Sequence, residues 1–452
     1  MLEEGKNFFG AQKRRSFRFS PAKTLVAGFA FVILGGALLL CLPFASAAGR
    51  GTDFLTALFT ATSAVCVTGL VVVDTGTYWS FWGQLIILIL IQTGGLGFMT
   101  MATLFFLFTG KKIGLKERML IRESLNQVDV AGVVRLVRAV LIFTFLTEGF
   151  FALVLSFRWF SDFGWPRCVW MGVFHAVSAF NNAGFDLFGD FRSLTAYVDD
   201  PVVVLSVSAL IVLGGLGFSV ALNILPGKRQ RLSLHSRLVL LITLLLLGGA
   251  FICFLFLEWT NTLEGLSLSG KFLASLFQAV TPRTAGFNTV DIAGLRTATQ
   301  FFLIMLMFIG ASPGSTGGGI KTTTFGLLVA AAWSFARGEE GVNVLRRRIP
   351  ADQVYKALAI FLLAAVLVVF TTMALNITEQ ADFLSILFET VSAFGTVGLS
   401  MGLTPHLSFP GRVLIILTMF CGRLGPLTLA FALAQRKQKF PVRYPEEKIL
   451  IG

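Results

Sequence analysis

The chain reads as an all-α polytopic membrane protein. It has four pseudo-symmetric repeats, each a long helix, a short re-entrant helix, a glycine-bearing loop and a second long helix, giving eight spanning helices. Three observations predict this. First, 55% of the 452 residues are hydrophobic, only 13% are charged, and the mean hydropathy is +0.80, too apolar for a soluble chain of this size. Second, apolar stretches such as 22–44, 82–108, 202–225, 238–257 and 357–375 reach the ~20 residues that cross a bilayer. Third, one pattern recurs between such stretches: a Phe, a Ser or Thr four residues on, then a Gly. It reads Phe59-Ser63-Gly69, Phe174-Ser178-Gly184, Phe277-Thr281-Gly286 and Phe388-Ser392-Gly398.

Taken in order, residues 1–21 form a basic N-terminus too polar for a cleavable signal. Repeat 1 (22–110) uses 22–44, the short helix 53–65 and 78–108. Repeat 2 (133–227) uses 133–157, 167–180 and 201–225. Repeat 3 (236–338) uses 236–259, 269–281 and 297–335, the last interrupted by glycines. Repeat 4 (352–436) uses 352–376, 380–394 and 409–435, and 437–452 is a C-terminal tail. The short segments cannot span, so they enter and leave from one face. Non-helical backbone at that depth must be buried in protein or line water. Four such loops in register satisfy this around a central pore, with the short segments as pore helices.

Charge placement orients the chain. Of 37 Lys and Arg, 27 fall in residues 1–23, 109–138, 226–237, 337–356 and 435–452. These are the termini and inter-repeat connections, which the positive-inside rule makes cytoplasmic. The net charge of +13 therefore follows topology, and no nucleic-acid partner is expected. The lipid bilayer is the expected surround. Five scattered cysteines imply neither a disulfide framework nor a metal site, and His175, His235 and His406 form no metal-ligand cluster.

The loops carry the chemistry. They read Cys66-Val67-Thr68-Gly69, Asn181-Asn182-Ala183-Gly184, Arg283-Thr284-Ala285-Gly286 and Gly395-Thr396-Val397-Gly398. Glycine permits the positive φ that aims successive carbonyls at a cation. The pore helices end there, and their negative dipole ends favour a cation too. Helix-packing glycines are the bland alternative for any one loop; four copies with the same flanks favour a filter. No loop has a second Gly two residues on, which implies fewer well-defined ion sites than a Thr-Val-Gly-Tyr-Gly loop.

Between Gly310 and Lys321 the chain reads Gly310-Ala311-Ser312-Pro313-Gly314-Ser315-Thr316-Gly317-Gly318-Gly319-Ile320-Lys321. Proline and glycines stop a helix, so this span should break at mid-membrane as a candidate gate. A phosphate-binding loop needs Lys directly after Gly; Ile320 intervenes. The tetrads Gly94-Gly95-Leu96-Gly97, Gly214-Gly215-Leu216-Gly217 and Gly422-Arg423-Leu424-Gly425 match except that Arg423 replaces a glycine. An intramembrane charge is costly and points to function. Lys321 has a second reading as a cytoplasmic snorkelling side chain. Glu148, Glu258 and Glu389 could serve a carrier, and His175, Gln278 and Glu389 share one offset in their pore helices, as polar support behind the loops.

These loops, the quarter-repeat topology, the stretch Thr281-Pro282-Arg283-Thr284-Ala285-Gly286-Phe287-Asn288-Thr289 and the ending Arg443-Tyr444-Pro445-Glu446-Glu447-Lys448-Ile449-Leu450-Ile451-Gly452 resemble the Trk/Ktr/HKT superfamily. The few residues before the first span favour its Ktr branch. The resemblance implies a pore-forming subunit of a K⁺ uptake system in a bacterial cell membrane, both termini cytoplasmic. It implies a homodimer with one pore per subunit and a cytoplasmic ring of nucleotide-binding RCK/KtrA-type subunits. K⁺ would be held by backbone carbonyls of the filter residues, Arg423 would be a barrier below them, and no cofactor is expected; Na⁺ as an activator stays open. The alternative is a sodium- or proton-coupled carrier for K⁺ or Na⁺ using Glu148 or Glu258. No enzyme motif supports a catalytic function.

Overall fold

The computed structural model describes residues 21–97, 100, 133–224, 232–426, 428, 445 and 447. Each repeat opens with its longest helix: Pro21–Leu40, Val133–Arg158, Leu234–Glu258 and Ala351–Thr378. All four are long and apolar enough to cross a membrane. Their outer faces leave large apolar side chains uncovered, with Phe157 at 88%, Phe256 at 83% and Ile377 at 86% exposure. Lipid tolerates that surface; water does not.

The pore helices are Phe54–Cys66, Arg167–Phe180, Leu268–Val280 and Phe383–Gly395. At 13 or 14 residues each, they reach about 20 Å, well short of a ~30 Å hydrocarbon core. Three begin at side-chain caps: Asp53 accepts from Leu55 N at 3.0 Å, Ser267 from Gly270 N at 3.0 Å and Asp382 from Ser385 N at 3.0 Å. Phe59, Phe174, Phe277 and Phe388 of the repeated pattern are all fully buried, so that Phe anchors each pore helix in the core.

The final helices correct the sequence expectation. Three were expected to run unbroken, with only the third interrupted. Instead Phe81–Leu96 stops at Gly97, Pro201–Gly215 bends by 108° into Phe218–Ile224, and Phe409–Leu424 stops at Gly425. The fourth glycine of each tetrad explains this. Gly97, Gly217 and Gly425 have φ of +81°, +91° and +82°, which no right-handed helix accommodates. In repeat 3 the break is a full loop between Thr297–Phe308 and Thr322–Ala336.

The repeats close a ring. The final helix of repeat 1 packs on the pore helix of repeat 2, that of repeat 2 on the pore helix of repeat 3, and Thr297–Phe308 on the pore helix of repeat 4. The final helix of repeat 4 packs on the pore helix of repeat 1. Among the described residues the β-sheet is a two-stranded hairpin, Asn343–Val344 with Arg347–Arg348. Its turn residues Leu345 and Arg346 both have positive φ, the geometry that matches strand twist. The basic segments 1–20 and 225–231, the tail 437–452 apart from Pro445 and Glu447, and most of 98–132 lie outside the described residues.

Candidate ion pathway

Each loop is shaped by two left-handed residues. The glycines Gly69, Gly184, Gly286 and Gly398 have φ from +70° to +92°, and so, unexpectedly, do the residues two before them lie at positive φ: Val67 (+56°), Asn182 (+57°), Thr284 (+75°) and Thr396 (+52°). Three of these are β-branched, the type least suited to that conformation. Strain of this kind persists only where surroundings over-determine it, and it gathers at functional sites. Cys66 and Gly395 are the last residues of their pore helices, and Asn181 still has right-handed helical angles.

The Ser or Thr of the pattern pins the loop. Gly69 N donates to Ser63 Oγ at 3.0 Å and Gly398 N to Ser392 Oγ at 3.1 Å. In the other two repeats the hydroxyl donates instead: Ser178 Oγ to Phe185 O at 2.7 Å, and Thr281 Oγ1 to Phe287 O.

The four loops meet head to tail. A Cβ on Gly69 would lie 2.5 Å from Ala183 O, and one on Gly184 would lie 2.8 Å from Ala285 O. One on Gly286 would strike Val397 O, and one on Gly398 would strike Thr68 O. Each glycine therefore faces the carbonyl of the residue just before the next glycine, and the circuit closes. This order, 1 to 2 to 3 to 4 to 1, is the order of the helix packing.

Above the ring lies a cavity of about 460 Å³, lined by all four glycines and by Asp74, Asp186 and Asp291. Burial pushes the Asp186 carboxyl up to about 7, and the Asp74 carboxylate adds to the rise. Asp74 also caps the turn at Thr77 and accepts from Phe191 N at 2.9 Å, tying the outer loops of repeats 1 and 2.

Beneath the ring sits the 310–319 loop. Gly310 N donates to Ile320 O at 2.8 Å, closing its neck. Ser312 N donates to Gly215 O at 3.0 Å, Phe218 N to Gly314 O at 2.9 Å, and Thr316 Oγ1 to Phe180 O at 3.3 Å. Gly318 N donates to Thr396 Oγ1 at 2.9 Å. Arg423 crosses beneath: its guanidinium donates to Thr316 O and to the carbonyls of Gly94 and Gly95. Lys321 does not snorkel. Its Nζ folds back to Gly317 O at 2.5 Å, and both cations line an inner cavity of about 290 Å³ with Gly95, Gly314 and Gly317. The structure thus brings together every candidate gate residue around one loop.

Arg283 departs from its neighbours. It lines a small pocket with Ile211, Val212, Thr243 and Leu247, and its buried Nε has no hydrogen-bond partner. The support position behind the loops differs by repeat. His175 Nδ1 lies 2.7 Å from Met171 O, and its Nε2 accepts from Leu187 N at 3.3 Å. Glu389 accepts from Thr404 Oγ1 at 2.5 Å and Ser400 Oγ at 2.8 Å; Gln278 is buried with both amide atoms unpaired. Glu148 accepts from Asn181 Nδ2 at 3.0 Å and Gln92 Nε2 at 3.1 Å, so it braces the second loop from behind. Glu258 accepts from Asn261 Nδ2 at 2.6 Å, Arg296 N at 3.0 Å and Thr299 Oγ1, a tie between two outer helix ends. Sequence reasoning missed the left-handed residues and the Glu148 network. Residue type gave no signal at Val67, Thr284 or Thr396, and Gln92, Glu148 and Asn181 are far apart in the chain.

The chain matches the model of the family described as "TrkH: Cation transport protein" over residues 14–441. It is 46% identical over 438 residues to a Bacillus subtilis protein named Ktr system potassium uptake protein B, covering 96% of this chain and 97% of that one. It is 42% identical over 449 residues to an Enterococcus hirae protein named potassium/sodium uptake protein NtpJ, covering 98% and 99%. Among solved structures it resembles that of the potassium transporter TrkH from Vibrio parahaemolyticus, with a TM-score of 0.73 over 93% of this chain and 86% of that one. At 21% identity this last likeness speaks for the fold.

Proposed function

The chain belongs to the TrkH family of cation transport proteins, and from that premise we infer that it is the pore-forming subunit of a potassium uptake system. The observation that carries this is the closed circuit of four glycines, each set against its neighbour's carbonyl. Backbone carbonyls from all four repeats surround one axis there, and such carbonyls replace the water around a dehydrated cation. K⁺ is the cargo. It enters past Asp74, Asp186 and Asp291, is held by carbonyls of the four loops, and leaves by the 310–319 gate and Arg423.

Three relatives are named as parts of a Ktr system, which supports a partner subunit for this chain. We assign it a homodimer in the membrane, both termini cytoplasmic, beside a ring of nucleotide-binding RCK-type subunits. A second reading, Na⁺ as a co-transported or activating ion, draws on the potassium/sodium name of the Enterococcus relative. Glu258 and Glu148 are held by fixed hydrogen bonds, which favours a structural role for both over a coupling role.

The test is Rb⁺ flux into proteoliposomes, with and without Na⁺. The parent chain should carry Rb⁺, and Gly398→Ser or Gly286→Ser should lower the preference for K⁺ over Na⁺ by about tenfold or more, since a side chain there displaces a ring carbonyl. Unchanged ion preference in both variants would refute the filter assignment.

A further inference from the structure

We propose that Thr396 latches the gate loop to the filter, so that release of the gate and rearrangement of the fourth loop are a single event. This rests on the assignment of filter and gate above and adds a coupling residue to it.

Position decides which loops take part. Val67, Asn182, Thr284 and Thr396 hold the same left-handed place, two residues before their glycines. That conformation turns the side chain at this place to the inner side of its loop in repeats 3 and 4. The hydroxyl of Thr396 accepts from Gly318 N at 2.9 Å, and Thr396 is fully buried. A Cβ on Gly317 would run into Thr284 Oγ1, and one on Gly318 into Thr396 Oγ1. Gly317 and Gly318 are thus explained, since the gate loop lies so close against two threonines that no side chain fits between, while Gly319 has a positive φ of +66°. Thr284 does not latch. Its hydroxyl donates to the Asn182 side-chain oxygen at 3.1 Å, with the Asn182 amide donating to Ala179 O and Ile211 O. Loop 1 has an apolar valine at the same place.

The latch reaches the ion ring in one residue. Val397, next after Thr396, supplies the carbonyl that faces Gly286. A buried N–H demands a partner, and a left-handed threonine demands a restraint. The Thr396 hydroxyl meets the first demand, and it shares the second with the helix-end bonds from Thr396 N to Ala393 O at 3.2 Å and from Val397 N to Ser392 O at 2.8 Å. When the gate loop leaves, Thr396 loses its side-chain partner Gly318 N, one of the restraints on the fourth loop is gone, and the Val397 carbonyl gains freedom to turn. That is a two-state element biased from both ends, the physical requirement for coupling between sites.

The experiment measures Rb⁺ flux and the K⁺-to-Na⁺ ratio in proteoliposomes for Thr396→Val, which keeps the shape and removes the acceptor. The same substitution is also made in a chain lacking residues 314–318. Flux should rise about fivefold in the full chain, the equivalent of one neutral hydrogen bond. The ion ratio should shift with it, and Thr396→Ser should rescue both. In the deletion background Thr396→Val should add nothing. Gly318→Ala approaches the contact from the gate side, should raise flux similarly, and should not add to Thr396→Val. Equal flux in parent and Thr396→Val, or an equal rise in the deletion background, would overturn the latch. A parent chain that carries no Rb⁺ would instead overturn the transport function itself, so the two failures are distinct.

Discussion

A glycine at positive φ whose missing Cβ would meet a neighbour's carbonyl has two separate reasons to remain glycine, conformation and space. Gly69, Gly184, Gly286 and Gly398 have both, and for that reason they were legible in the sequence. Their left-handed companions were not: a valine or threonine in a disfavoured backbone region is chosen by tertiary contacts. Asp186 also acts at this scale. An ordinary aspartate keeps its charge down to about pH 4, but Asp186 is raised to about 7 by burial, with Asp74 reinforcing the effect. A raised acid is neutral below its pKa, so the outer cavity loses one negative charge as external pH falls through 7. Uptake at sub-saturating K⁺ should therefore fall between external pH 8 and 6. Asp186→Asn should flatten that dependence at the lower level; a pH profile of flux reads both.

At the scale of elements, the final helices of repeats 1, 2 and 4 were predicted unbroken because hydropathy carries straight through the break. The tetrads were visible, but a glycine costs only ~1 kcal/mol in a helix, which does not by itself stop one in lipid. What stops it is the positive φ of the tetrad's fourth glycine, while the first glycine lets the helix touch the end of its pore helix. A Cβ on Gly94 would meet Val65 O, one on Gly214 Phe180 O, and one on Gly422 Phe394 O. Gly94→Ala and Gly422→Ala should each cost about 1–3 kcal/mol through overpacking. Thermal unfolding in detergent should show a lowered Tm. Gly248→Ala, where nothing lies within 4 Å, should leave Tm unchanged or raise it. The pore helices themselves were placed within a few residues, because their caps and short apolar runs are local signals.

For the molecule as a whole, the repeat count was readable from the fourfold pattern, while the division of labour was only half readable. Arg423 stood out as an odd charge; its three carbonyl partners, in repeats 1 and 3, did not. Gate loop, arginine and the first repeat's final helix form one clasp. Removing residues 314–318 should raise Rb⁺ flux at least tenfold, since hydrogen bonds to a charged group contribute about 1.5–3 kcal/mol each. Unaltered flux in well-folded protein would argue against gating there. The head-to-tail circuit also bears on how the protein is made. Repeat 1 borrows its last neighbour from repeat 4: Gly398 against Thr68, and the helix Phe409–Leu424 against the pore helix Phe54–Cys66. Translation delivers that neighbour last. The first pore helix must therefore wait in the bilayer, its loop open on one side, until the C-terminal quarter is inserted, and a nascent chain cannot leak ions through a finished filter before it is complete.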